Sequence, residues 1–254
     1  MSLVLVGLWL VGLGACDLGR PSHDLLSRGR LLGCLVAGLA PLLVGLVLLD
    51  LGAGEVVALF LLLAVALVVW LLASARAMDV ELPARSRSHA RVVAFAAPVA
   101  GAAVAVLGVQ LVGSEPVWPA RLDATLLARW PAADLLVATG VVLAQLVTAN
   151  ILVRLLLDAV GVPATSGEKQ LKGGRVLGPM ERVFLTGLGA LGELTAAAIV
   201  VAAKGLLRFP ELQRAQRDPG LPADGPSDVT EYFLIGSFAS WLLALGGAAL
   251  IHLA

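Results

Sequence analysis

A chain of 254 residues that is 59% hydrophobic and 14% charged, with a mean hydropathy of +0.95, does not have the make-up of a soluble globular domain; such domains carry about a quarter charged residues. Its formal net charge of zero gives no reason to expect a nucleic-acid partner. Two cysteines, Cys16 and Cys34, supply neither a disulfide framework nor a zinc site and are expected as buried free thiols.

Long apolar runs set the expected fold class: an all-α, polytopic transmembrane helical bundle. About seven hydrophobic segments of near-spanning length can be drawn, at 2–18, 31–49, 55–75, 91–113, 133–157, 178–204 and 231–252. The whole chain reads as one integral membrane domain, with four N-terminal segments in 1–113 and three C-terminal ones in 133–252 that hold the polar motifs. The first segment ends at Asp17 and is the weakest, a short span or a signal-anchor; without it the count is six. Leu13-Gly14-Ala15-Cys16 looks like a lipoprotein processing site, but no positively charged region precedes it. Pro41 and Pro98 interrupt segments two and four. Small residues recur every fourth position at Ala97, Gly101, Ala105 and at Gly236, Ser240, Ala244, Ala248, the pattern of close helix packing. Trp118 and Trp130 flank Leu122–Leu127, which suits an interfacial helix.

Basic residues suggest an orientation. With the N-terminus outside, Arg20, Arg28, Arg30, Arg76, Arg85, Arg87, Arg91, Arg154, Lys169, Lys172, Arg175 and Arg182 fall inside. Arg121, Arg129, Lys204, Arg208, Arg214 and Arg217 fall outside, and the C-terminus is expected to be cytoplasmic. The four basic residues after 203 dissent from this arrangement, unless Lys204 and Arg208 end a long sixth helix that Pro210 terminates.

The sixth segment draws attention because Arg182, Glu193 and Lys204 are spaced by eleven residues. Eleven residues is close to three helical turns, so in one helix all three share a face about 16 Å apart. Arg208 roughly continues that face. Glu193 falls near the middle of the segment, where a charge is costly, so it is the expected functional acid. No neighbour on its own helix reaches it. Partners are therefore sought on segments five and seven: Gln145 for Glu193, Arg154 for Glu181, and Asp134 or Glu231 for Lys204. The candidate intramembrane site is thus Glu193, Gln145, Asn150, Arg154, Glu181, Arg182, Lys204, Arg208 and Glu231. The bland alternative is that charges at segment ends anchor at the interface and that Gln145, Thr148 and Asn150 bond between helices.

Catalytic patterns are absent. His23, His89 and His252 form no His-Glu-x-x-His pair, and neither Gly-x-Ser-x-Gly nor a phosphate-binding glycine loop occurs. No metal or cofactor is expected.

Four phrases of the second half stand in order: Asn150-Ile-Leu-Val-Arg154, Gly174-Arg-Val-Leu-Gly178 with Glu181-Arg182, Ala203-Lys204 followed by Arg208-Phe209, and Glu231-Tyr-Phe-Leu-Ile-Gly236. Together they resemble the C-terminal membrane region of an uncharacterised bacterial integral-membrane family, a domain of unknown function. The resemblance covers about residues 140–250. It implies a membrane-embedded fold and lends weight to the quoted residues, but it brings no activity.

The expected function is that of a non-enzymatic component of a bacterial cell membrane, in transport, ion sensing or signalling, with Glu193 titrating inside the bundle. An intramembrane enzyme acting on a lipid or phosphate-bearing substrate is one alternative. A structural subunit of a membrane complex is another. The expected partners are the lipid bilayer and a membrane protein or a second copy of the chain.

Overall fold

The computed structural model describes residues 3–20, 27–113, 130–161, 174–217 and 225–254, with 174–176, 207–217 and 225–233 as backbone alone. Every regular element among them is helical: α1 (Val4–Leu18), α2 (Arg28–Leu48), α3 (Ala53–Met78), α4 (Ala84–Gly108), α5 (Ala132–Leu143), α6 (Ala149–Ala159), α7 (Gly174–Ala190), α8 (Leu194–Arg217) and α9 (Gly225–Leu253). A 3₁₀ turn, Val109–Leu111, follows α4, and a π-helical turn, Ala144–Thr148, joins α5 to α6. Five helical stretches are long and apolar enough to cross a membrane: Arg28–Leu48, Ala53–Met78, Ala84–Leu111, Ala132–Ala159 and Leu234–Leu253. Val4–Leu18 and Leu194–Leu206 are apolar but shorter. The all-α membrane bundle is therefore the architecture. The interfacial helix expected around Trp118 and Leu122–Leu127 lies outside the described residues.

The chain divides into two compact units, residues 1–148 with 250–254 and residues 149–249. In the first, α1 is the central helix. Val4, Leu5, Trp9, Leu13 and Cys16 are all buried, because α2, α3, α4 and α5 pack around it. A helix apolar on every side belongs in such a position. Its 15 residues rise about 22 Å, short of the roughly 30 Å hydrocarbon thickness. Enclosure by protein makes that shortness tolerable, since the helix meets little lipid. The segment that looked weakest in the sequence thus builds the core.

Paired contacts fix directions within this unit. Gly7 meets Val137 and Gly14 meets Leu143, so α1 and α5 run parallel. Gly12 meets Leu42, while Gly38 meets Cys16, so α2 is antiparallel to α1. Trp9 packs on Gly101 and donates from Nε1 to the Pro98 carbonyl at 3.2 Å, which fixes α4 at the same level. Pro41 and Pro98 both stay within continuous helices. Ala97, Gly101 and Ala105 are buried, as packing positions should be.

In the second unit the sixth hydrophobic segment is not one helix. α7 ends at Ala190, and α8 starts at Leu194. Gly192 takes φ +80°, a conformation that favours glycine. Its N–H bonds the Gly189 carbonyl at 3.1 Å, and the Glu193 N–H bonds the Leu188 carbonyl at 2.9 Å. That pair of bonds is the Schellman closure of a helix. The Glu193 carbonyl then accepts from Ala197 N–H at 3.0 Å and opens α8. The hairpin closes on a small core of Leu185, Ala197 and Ala244, with Leu188, Val200, Val201 and Trp241 against it. Pro210, expected to end the helix, lies inside α8.

The small-residue stripe of α9 receives α7. Thr186 Oγ1 donates to the Ala244 carbonyl at 3.1 Å, and Gly189 faces Ala248 closely enough that a Cβ on Gly189 would sit 2.7 Å from Ala248 Cβ. Gly236 takes up Leu157 of α6 instead. Residue numbers rise together along α7 and α9, so these two helices are parallel.

Candidate functional site

Two polar sites emerge, and the deeper one was not among the expected residues. At the end of α1 the Asp17 side chain is 0% exposed. Trp70 Nε1, from α3, donates to its two carboxylate oxygens at 3.1 and 3.2 Å. Thr148 Oγ1, the last residue of the π-helical turn, donates to Oδ2 at 2.6 Å. Arg20, one helical turn along, pairs through Nε with Oδ1 at 3.1 Å, its own side chain 9% exposed. Trp70 and Thr148 both donate and Arg20 supplies a positive charge, which matches an ionised carboxylate, since that group only accepts.

Arg20 is itself held in place. Its Nη2 donates to Ser74 Oγ at 2.6 Å and to the Leu71 carbonyl at 3.2 Å, and its guanidinium carbon lies 5.8 Å from the Trp70 ring centroid. Ser74 passes the contact on to the Trp70 carbonyl one turn back, at 2.5 Å. Trp70 and Ser74 are spaced by four residues on one face of α3, so one helix face grips both members of the ion pair. Two free thiols flank the site, Cys16 within α1 and Cys34 of α2, which packs on Gly19. Gln145 is buried in the same π-helical turn as Thr148.

The second site is a polar layer in residues 149–249, built from consecutive residues of α7. Arg182, buried, donates to Asn150 of α6 and to Ser240 Oγ of α9 at 3.2 Å. Glu181 accepts from Lys204 of α8 at 2.5 Å and from Trp241 Nε1 of α9 at 3.1 Å. Lys204 Nζ also lies 5.9 Å from the Trp241 ring centroid. α7 is thereby tied to three helices at one level. Asn150, Glu181, Arg182 and Lys204 come from three of the four phrases noted in the sequence, and the fold brings them together.

Several expected pairings are corrected. Glu193 is exposed at the α7–α8 turn, not mid-helix, because the helix stops at Gly192. The eleven-residue stripe therefore does not exist as one face. Lys204 folds back onto Glu181 of α7, a pairing the sequence did not suggest. Arg154, expected beside Glu181, is exposed on α6. Arg208 lies in α8 and Glu231 in α9, with their side chains outside the described residues. Among the described residues no cluster of three or more His, Cys, Asp or Glu is arranged to hold a metal.

Asp17 stands where an apolar run ends, the usual place for a cheap boundary charge, so the run itself does not mark it as buried. The available signal was Arg20 three residues on, with Trp70 and Ser74 inside the most apolar segment. Comparison with protein-family models, with curated proteins and with solved structures finds no match to this chain.

Proposed function

We propose that this chain is a non-enzymatic, multi-pass component of a bacterial cell membrane, of the ion-sensing, signalling or transport class, whose responsive acid is Asp17. The observation that carries the reading is the fully buried Asp17 carboxylate, paired with Arg20 and closed by Trp70 and Thr148. Stability alone is a poor reason for such a pair, because an apolar replacement of similar volume is often as stable or more so. Ionisable residues among membrane helices are costly and rare, which makes such a pair the first place to look for function. The π-helical turn that supplies Thr148 supports the same view, since single π turns recur at functional sites.

The mechanism is a local exchange. A proton arriving at Asp17 turns an acceptor-only group into one that must also donate. Arg20 then loses its counter-charge, and the Thr148 and Trp70 bonds weaken together. The groups facing the carboxylate are Arg20, Trp70 and Thr148, with Cys16 and Cys34 near by. The enzymatic alternative rested on Glu193, which is at an exposed turn. The structural alternative fits the second polar layer best, where Glu181, Arg182 and Lys204 hold one another's helices.

Acidification of the purified protein in nanodiscs is expected to change tryptophan emission, because Trp70 donates directly to Asp17. Asp17→Asn is expected to remove that transition while leaving the helical circular dichroism intact. The same emission curve in Asp17→Asn and wild type would rule the reading out.

A further inference from the structure

We infer that α7 and α8 enter and leave the membrane from the cytoplasmic side, so that residues 204–230 are cytoplasmic and the C-terminal end of α9 is exoplasmic. This reverses the side expected from the sequence for both. It rests on the membrane reading of the fold and on no property of Asp17.

The geometry is internal to residues 149–249. Glu181 meets Lys204, and Leu185 clusters with Ala197, so α7 and α8 are antiparallel arms of one hairpin. From Glu181 to Glu193 the chain rises about 18 Å, and Gly189 is level with Ala248. The turn at 191–193 therefore lies within about one helical turn of Ala248, towards the end of the Leu234–Leu253 span. The opposite end of the unit gathers the C-terminal end of α6, the start of α7, the end of α8 and the start of α9. Arg182 with Ser240, Thr186 with Ala244 and Gly189 with Ala248 make α9 run parallel to α7. Leu157 against Gly236 makes it antiparallel to α6.

Charge then chooses the side. Arg154, Lys169, Lys172, Arg175, Arg182, Lys204, Arg208, Arg214 and Arg217 are the basic residues of 149–249. Arg154, Arg175, Arg182, Lys204, Arg208, Arg214 and Arg217 stand in the parts of α6, α7 and α8 towards the end where α6 finishes and α9 starts, and Lys169 and Lys172 lie in the sequence between α6 and α7. The hairpin turn and the stretch up to Ala249 carry none. Lysine and arginine near span ends mark the cytoplasmic side. A single crossing by 178–204 would have put Lys204, Arg208, Arg214 and Arg217 outside, against that rule. The hairpin removes the conflict without moving any residue. It also explains why an acid at 193 is tolerated: the turn is at the exoplasmic boundary, where a charge is cheap.

Full-length protein carrying Glu193→Cys or Ala215→Cys is to be treated in intact cells with a membrane-impermeant maleimide. The native Cys16 and Cys34 are buried and serve as the unlabelled background. Glu193→Cys is expected to label in intact cells and Ala215→Cys only after permeabilisation. As a second readout that needs no cysteine, alkaline phosphatase fused after Ala254 is expected to be active, and green fluorescent protein fused there to be dark. Labelling of Ala215→Cys before permeabilisation, or a fluorescent C-terminal fusion, overturns the inference. Neither result bears on the tryptophan response of Asp17, so the two proposals fail separately.

Discussion

Asp17 and Glu181 are each held by a cation and a tryptophan, but Asp17 is buried whereas Glu181 is partly exposed. Asp17 is met by three residues, Arg20, Trp70 and Thr148, the last a hydroxyl on a π-helical turn, and Ser74 in turn holds Arg20. Glu181 answers an ammonium that is still 22% exposed. Removing one partner of a buried pair leaves the other charge uncompensated, at a cost of roughly 3–5 kcal/mol, and partial exposure of the lysine lowers that figure. Lys204→Met is therefore expected to destabilise the protein by about 2–3 kcal/mol, read as a shift in equilibrium unfolding in mixed detergent. The double variant Glu181→Gln, Lys204→Met is expected to regain most of that loss. Additive losses would mean that the two groups are not coupled. At this scale the sequence was half legible. Glu181, Arg182, Asn150 and Lys204 could be picked out because charge inside an apolar run is conspicuous. Their partners could not, because pairing depends on which helix folds back on which. Asp17 escaped because a charge at the end of a run looks the same whether it meets water or a tryptophan.

Helices one and seven show how glycine decides what an apolar run becomes. Gly140 lies so close to α1 that a Cβ there would fall 2.5 Å from the Gly7 carbonyl and 2.8 Å from Leu10 Cβ. Gly140→Ala is expected to cost about 1–3 kcal/mol through overpacking. Gly192 has open space around it but φ +80°. Gly192→Ala is expected to cost about 1–2 kcal/mol, the price of a left-handed alanine. Gly187, also in open space but helical, is the control: Gly187→Ala is expected to be neutral or to stabilise by up to about 1 kcal/mol. Thermal unfolding of the three variants in one detergent checks the order, and equal effects at 187 and 192 would contradict the turn. The apolar run of the sixth segment is long enough for one span, and length alone does not separate a span from a short hairpin. The signal lay in Gly187, Gly189 and Gly192 crowded before Glu193, a helix-stop pattern that the charge spacing outweighed.

For the whole molecule, composition carried the fold class, since apolar runs of this length have few uses outside a bilayer. The central place of α1 was not readable, because a short apolar helix looks the same whether it anchors a chain or fills a core. The two units meet in sequence at Thr148, the residue that also bonds Asp17. The acid at the end of α1 thus touches the last residue of the first unit within a continuous helix. The most direct measurement is pH-difference infrared spectroscopy of wild type and Asp17→Asn in lipid. Acidification is expected to bring up the carbonyl stretch of a protonated carboxylic acid in a dry environment, a band that Asp17→Asn lacks and Glu193→Gln keeps. A band that survives Asp17→Asn and vanishes in Glu193→Gln would contradict the account and return the role to Glu193.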